Sequence, residues 1–318
     1  MPDTAFTTRW QRAQACIGHG VAAIDTPSLV IDLDAMERNL ARMAAFASEH
    51  GVRLRPHAKM HKSAELARLQ MNHGAVGVCV QKTDEALALG HAGVHDIYIS
   101  NEVIASAKLL RLAQAVRDLP TKFSIAVDST LGVTRLAQAL HAAGVDAPAR
   151  LDVLVEIDVG QGRCGVAPGA PAVALVQAIA AHPVLRFAGL QAYHGRAQHL
   201  RDPGERAKAI GEAAWAAALT RERLQAAGFA VPLITGAGTG TFALETASRI
   251  WGEVQVGSYL FMDADYARNE AAPQAPVFEH ALFVKTLVMS RGARHAVCDA
   301  GHKSHAIDSG LPAVWSPP

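Results

Sequence analysis

The run Arg55-Pro56-His57-Ala58-Lys59-Met60-His61-Lys62-Ser63 sets a lysine at the junction of two patterns. Before it, Gly51 to His57 reads as a short strand. After Ser63 the apolar spacing becomes helical. Lys59 therefore falls where a strand gives way to a helix, the position at which barrel enzymes carry their chemistry. Arg55 and Lys62, with His57 or His61 when protonated, are cationic neighbours that disfavour a further positive charge. A lysine with a lowered pKa is the nucleophilic amine that Schiff-base chemistry needs. A solvated basic loop is the competing reading, and the rest of the chain weighs between the two.

Working outward, apolar runs of strand length alternate with helix-period segments. Ser28 to Asp32 reads as a first, buried strand, followed by a helix capped at Asp34 with an apolar stripe through Met36, Leu40, Met43 and Phe46. Strand–helix pairs then follow: Val52 to Pro56 with a helix from Ser63, Ala75 to Val80 with one from Thr83, Asp96 to Ser100 with one from Ile104, and Lys122 to Val127 with one from Thr130. Leu151 to Ile157 precedes a helix from Pro171. Phe187 to Tyr193 precedes a long helix from Pro203 to Ala227, and Pro232 to Gly236 precedes a short helix near Phe242. Near-continuously apolar strands between helices are parallel strands covered on the outside. The repeat is close to eightfold, so a (β/α)8 barrel of the TIM type is expected, with a doubly wound open sheet as the runner-up.

The pattern changes after Pro273. Val277 to Ser290 is a long β-type run with no helix behind it, and His295 to Asp299 is another short strand. The expected organisation is an N-terminal extension over residues 1–24, a barrel over 25–272, and a β-rich domain beginning at 273 that 318 residues do not complete. Its completion is expected beyond Pro318, from the N-terminal segment, or from another subunit. A formal net charge of +1 gives no sign of a nucleic-acid partner. No apolar run is long enough to span a bilayer, and the first twenty residues carry no apolar signal core. Cys16, Cys79, Cys164 and Cys298 form no Cys-x-x-Cys pair, which suits a reducing cytoplasm.

Further motifs sit at strand ends. Glu156 to Gly165 follows a strong strand; its glycines allow close approach of a ligand, and Arg163 can offer its fork to an anionic oxygen. Thr235 to Thr241 is a second glycine-rich turn, whose backbone N–H groups suit a phosphate. Without the lysine of a P-loop it does not suit a nucleoside triphosphate. Glu253 to Asp263 reads as a further strand in which Gly257 and Ser258 offer more donors. Gln191 to His199 brings Tyr193, His194 and His199 to another strand end, where histidine is the usual proton carrier near neutral pH. The pairs His57/His61, His91/His95 and His302/His305 have helix-turn spacing, but no acidic third ligand accompanies them, so no metal site is assigned to them.

Together these stretches resemble the fold-type III pyridoxal phosphate (PLP) enzymes, and within them the D-threonine aldolase and D-serine dehydratase branch, whose barrel is related to that of alanine racemase. The likeness runs from Asp25-Thr26-Pro27-Ser28, through Arg55 to Lys59, Ser100-Asn101-Glu102, Glu156 to Gly165, Gln191 to His199, Thr235 to Thr241 and Glu253 to Asp263, to Asp299 to Ser304. The resemblance implies that Lys59 attaches the cofactor, that Arg163 faces its phenolic oxygen, and that Tyr193 lies beside its ring. It implies that Gly238, Thr239 and Gly240, with Gly257 and Ser258, hold the phosphate, and that His199 takes the proton of a substrate β-hydroxyl. The implied activity is retro-aldol cleavage of D-threonine and related D-3-hydroxy amino acids to glycine and an aldehyde. The alternatives are a D-serine or D-3-hydroxyaspartate dehydratase and, further off, a non-catalytic PLP carrier. A homodimer is expected. The resemblance also implies a divalent metal (manganese, magnesium or zinc) on a His-x-Asp or His-x-Cys pair of the C-terminal domain. No such pair stands after Ser290, so its ligands are expected beyond Pro318.

Overall fold

The computed structural model describes residues 16–148, 150–271, 275–308 and 310–315. Contacts divide the chain into two compact units, one of residues 37–279 and one in which residues up to 36 join those from 280 onward. The limits expected from the sequence were 25 and 272.

The strands in chain order are β1 (Ser28–Ile31), β2 (Arg53–Leu54), β3 (Val78–Val80), β4 (Asp96–Ile99), β5 (Lys122–Val127), β6 (Leu151–Glu156), β7 (Leu185–Ala192), β8 (Ile234–Gly236) and β9 (Glu253–Val254). β2 to β9 form one eight-stranded parallel sheet in the order β2-β9-β8-β7-β6-β5-β4-β3. It closes on itself: Val76 N–H donates to Leu54 O at 2.9 Å, and Cys79 N–H donates to Pro56 O at 2.8 Å. The fold is the (β/α)8 barrel. The helices between strands are α1 (Leu33–Glu49), α2 (Ala64–Asn72), α3 (Thr83–His91), α4 (Ser106–Asp118), α5 (Thr130–Ala142), α6 (Ala170–Ala180), α7 (Pro203–Ala226) and α8 (Phe242–Ser248). The stripe Met36, Leu40, Met43 and Phe46 is buried as its spacing predicts, but α1 is capped two residues earlier, by Asp32 Oδ1 accepting from Ala35 N–H at 3.0 Å.

Two layers of side chains make the barrel. Outward-facing Ile97, Ile99, Ile125, Val127, Val153 and Val155 share one core with Leu109, Leu112, Leu136 and Leu140 of α4 and α5. Residues of opposite parity, Cys79, Tyr98, Ala126 and Leu154, point inward and form their own cluster. β7 carries an irregularity opposite Val153 and Leu154. There Gly189 has φ +142°, and a Cβ would lie 2.1 Å from Leu233 O, so only glycine lets β7 approach its neighbour.

Charges close the N-terminal end of the barrel. The Arg55 guanidinium reaches Asp96 at 2.6 Å and Glu253 at 3.0 Å, both at the first residues of their strands. Lys122 pairs with Asp152 at 3.3 Å, and Arg186 with Asp152 at 2.6 Å. This corrects the expectation that Arg55 stands beside Lys59. Burial alone would lower the Arg55 pKa, but Glu253 and Asp96 outweigh it and raise the value.

The remaining strands lie in the smaller unit. β10 (Leu282–Lys285) pairs antiparallel with β1, in the register Ser28↔Lys285. The stretch read as a first barrel strand therefore belongs to a different sheet, and the barrel count is completed by β9. β11 (Val288–Arg291) and β12 (Ala296–Cys298) form an antiparallel pair, so the run from Val277 to Ser290 is broken in two at Thr286 and Leu287. Asp299 gathers this unit, accepting from Thr26 Oγ1 at 2.5 Å, Thr286 Oγ1 at 2.7 Å and Leu287 N–H at 3.0 Å, which holds its carboxyl down at about 2. No helix among the described residues is long and apolar enough to cross a membrane.

Replacing Arg55 with methionine strands two carboxylates inside the barrel, and a loss of about 3–5 kcal/mol is expected. Arg53→Met, which removes only the half-exposed partner of Glu253, is expected to cost less than about 1 kcal/mol. Urea denaturation of the two variants checks this; equal losses would contradict the assignment.

Candidate active site

The junction after β2 is a 3-10 turn, Ala58–Met60, clamped at both ends. At its start His57 N–H donates to Val256 O at 3.0 Å, and His57 Nδ1 accepts from Lys59 N–H at 3.3 Å. Since Nδ1 accepts, the ring proton sits on Nε2 and is donated to Ser100 Oγ at 3.2 Å. Burial first, and the Lys59 charge second, hold the His57 pKa well below its usual value, so this ring is neutral. At the end of the turn Lys62 takes a left-handed conformation, φ +53°, and its ammonium donates to Lys59 O at 2.5 Å while pairing with Glu85 at 3.3 Å. Ser63 then caps α2 by accepting from Leu66 N–H at 3.3 Å. The backbone of Lys59 is thus fixed on both sides.

Lys59 projects into a cavity at the C-terminal ends of the strands. The same cavity is lined by Arg163, Tyr193, Gly238, Thr239, Gly257 and Ser258, which the sequence had singled out from four separate stretches. Gln81, Ser100, Gln191, Gln255 and Tyr266 complete the wall. Lys59 keeps part of its surface open to solvent through the mouth. The surrounding protein still removes enough water to lower its pKa, and Arg163 lowers it further; Lys62 adds less, and Cys79 and Glu85 oppose the shift. The expected cationic neighbourhood is real, but its main member is Arg163 rather than Arg55. Burial raises the pKa of Tyr193, against which Arg163 works. Tyr266 is likewise raised, by burial first and by Tyr193 next.

Part of the wall is an anion cradle. Among the described residues the backbone N–H groups of Gly238, Thr239, Gly257 and Ser258 have no protein acceptor. Ala237, before them, is in the left-handed region at φ +69°, a conformation a residue with a Cβ adopts only when its surroundings enforce it. A Cβ on Gly238 would sit 2.5 Å from Gln198 Oε1. The Gly240 N–H is already committed to Gln198 Oε1 at 3.0 Å, so it faces the protein and not the cavity. An amine of lowered pKa, a guanidinium and four unpaired N–H donors around one space fit a phosphorylated aldehyde: the amine meets the carbonyl and the donors meet the phosphate.

His199 does not line this cavity. It stands half-exposed behind Tyr266, ring centroids 5.4 Å apart, with Nδ1 donating to Asp265 Oδ2 at 2.6 Å. Asp265 also accepts from Arg201 and, despite some burial that works the other way, these two donors hold its carboxyl low. Of the histidine pairs, His61 accepts from Ser63 N–H at 3.0 Å and bonds Gln70 Oε1 at 3.2 Å, so neither His57 nor His61 has a free nitrogen. The potential ligands that do converge among the described residues are Glu102, Asp128 and Cys164. They come from three strand-end loops, and no spacing in the sequence announces them.

The comparisons with known proteins agree with this geometry. The family described as alanine racemase, N-terminal domain, matches residues 31–265. A D-threonine aldolase from Arthrobacter sp. is 47% identical over 303 residues, covering 95% of this chain and 78% of that protein. A 3-hydroxy-D-aspartate aldolase from Paracoccus denitrificans is 42% identical, covering 94% of this chain and 77% of that protein. The crystal structure of a D-threonine aldolase from Filomicrobium marinum superposes with a TM-score of 0.88 at 49% identity, covering 92% of this chain and 77% of that one.

Removing the Arg163 cation stabilises the protonated form of Lys59, so Arg163→Met is expected to raise the Lys59 pKa. Amine labelling of the cofactor-free protein across pH, with peptide mapping at Lys59, reads the shift. A midpoint that stays put or falls would contradict it.

Proposed function

This chain belongs to the alanine racemase N-terminal domain family and is a PLP-dependent lyase; from that premise we propose that it cleaves D-threonine and related D-3-hydroxy amino acids to glycine and an aldehyde. The observation that carries this reading is the placement of Lys59 and four free N–H donors in one cavity, on a chain about half identical to D-threonine aldolases. When bound, PLP supplies an electron sink for the charge that develops at the substrate α-carbon.

The chain's own residues do the rest. Lys59 is the attachment point, and its lowered pKa leaves more of the amine unprotonated near neutral pH. Gly238, Thr239, Gly257 and Ser258 hold the phosphate with backbone donors, and Arg163 offers a cation beside Lys59 to the phenolic oxygen. Tyr193 and Tyr266 narrow the mouth and exclude water. His199, one ring behind Tyr266 and outside the cavity lining, is the base for the β-hydroxyl proton of a substrate whose side chain extends past Tyr266. Because Nδ1–H is committed to Asp265, Nε2 is the acceptor. Asp265 is therefore a positioning residue, acting through His199. A homodimer in a reducing compartment belongs to the same reading. No step is derived through the implied divalent metal, since residues after Ser290 offer no His-x-Asp or His-x-Cys pair to hold it.

D-threonine is expected to yield acetaldehyde and glycine. Release of ammonia and a 2-oxo acid in their place would assign the chain to the dehydratases. Asp265→Asn is expected to lower kcat by about tenfold to a hundredfold with little change in KM, and to add nothing on top of His199→Ala. Additive losses would mean that Asp265 does not act through His199. Gly238→Val is expected to weaken PLP binding by more than tenfold, about 1.4 kcal/mol or more. Unchanged affinity in a folded variant would move the phosphate elsewhere.

A further inference from the structure

Glu102, Asp128 and Cys164 each place a ligand-type atom within 4.8 Å of the others. They follow the ends of β4 and β5 and lie in the loop after β6, on the face that carries the Lys59 cavity. Acidic groups cluster without ions on many surfaces; these three residues are each only partly exposed. Both carboxylate oxygens of Glu102 are inaccessible to solvent and have no hydrogen-bond partner. A third carboxylate, Glu156, lies against Glu102 and is only 2% exposed; its Oε2 also has no partner. Its nearest ion-pairing cation among the described residues is Arg163, at a loose 3.8 Å from the other oxygen.

The charge count is unbalanced. Burial, then the neighbouring Glu102, raise the Glu156 pKa so that this carboxyl keeps a proton; Glu102 and Asp128 then stand as two negative charges against the one guanidinium of Arg163. Buried carboxylates left in that state cost several kcal/mol each, so the site calls for protons or for a cation. A divalent ion would take the place of the Glu156 proton and meet the unpartnered oxygens of Glu102 and Glu156. We propose that Glu102, Asp128 and Cys164, with Glu156, bind one divalent transition cation of borderline softness, of the zinc, cobalt or manganese type. Oxygen donors alone would suit magnesium or calcium; the thiol shifts preference toward the transition metals. Metal–ligand bonds of about 2.0–2.3 Å put ligand atoms no more than about 4.6 Å apart. Closing from 4.8 Å takes only small side-chain rotations. Binding moves the Cys164 thiol proton and the Glu156 carboxyl proton to solvent and forms metal–sulfur and metal–oxygen bonds, with no change of oxidation state. Asp128 also accepts from Gly165 N–H at 3.2 Å, so the ion would brace the loop that carries Arg163.

The test uses the PLP-loaded chain after dialysis against a chelator, with Co2+ as probe. Calorimetry is expected to show one Co2+ per chain, with affinity at least tenfold weaker in Glu102→Gln and unchanged in His302→Ala and His305→Ala. Sulfur ligation is expected as a thiolate-to-cobalt charge-transfer band in the difference spectrum between the wild type and Cys164→Ser, both loaded so that cofactor absorption cancels. Cys164 is partly exposed, and its serine variant keeps the test readable if Glu102→Gln fails to fold. No binding at millimolar Co2+, binding lost with the histidine variants, or no Cys164-dependent band would overturn the proposal. So would a carboxylic-acid stretch in the infrared that persists at saturating Co2+, because the carboxylates would then be sharing a proton instead of a metal.

Discussion

The buried carboxylate of Glu253 organises this barrel. Its Oε1 accepts from Arg55 Nε at 3.0 Å and from Thr235 Oγ1 at 2.9 Å, and its Oε2 pairs with Arg53 at 3.2 Å. A charge inside a barrel is tolerated only when it is paired and hydrogen-bonded, and breaking such a pair costs several kcal/mol. The link therefore fixes β2, β8 and β9 against each other, at the seam where the sheet closes. It also propagates. Gln255 Nε2 donates to Thr235 Oγ1 at 2.8 Å and to Gln191 Oε1 at 2.7 Å, and Tyr98 OH donates to Gln191 Oε1 at 3.1 Å. A continuous polar column runs from the charges at the N-terminal end to the floor of the cavity. Gln191 and Gln255 belong to both.

This column separates two tasks along one axis. Arg55 and Lys59 are four residues apart, yet Arg55 belongs to the charge network of the N-terminal end and Lys59 to the cavity at the other. Stability sits where carboxylates and guanidinia are satisfied. Chemistry sits where donors are left free and an amine loses its water, as barrel folds generally arrange it. The same logic explains why Gly238 and Thr239 keep free N–H groups while Gly240 does not: Gln198, fully buried, spends its oxygen on Gly240 and its nitrogen on Thr241, which locks the turn with its first donors turned outward.

Much of this was legible in the chain. Helix positions followed from apolar spacing, and the strand-end motifs converged because a barrel brings all its strand ends to one rim. Partner choice was not legible. Ser28 to Ile31 has the same composition as a barrel strand, and nothing local says that it pairs with Leu282 to Lys285. β9 is two residues long and begins with an acid, so it read as an addition to the barrel when it is the strand that closes it. His199 shares a stretch with Tyr193, but the chain turns between them and only Tyr193 reaches the cavity. Gln255, whose side chain faces the barrel interior, was quoted within a motif without a role. Glu102, Asp128 and Cys164 are joined only by the order of strands in the sheet, which no spacing rule encodes.

The central claim is that the amine of Lys59, held by the turn after β2, is the group that carries the cofactor. Borohydride reduction of the PLP-loaded protein, followed by proteolysis and mass mapping, tests it most directly. The account predicts a single pyridoxyl label on Lys59, absent from Lys59→Ala. A label on any other lysine of the wild-type protein would contradict it.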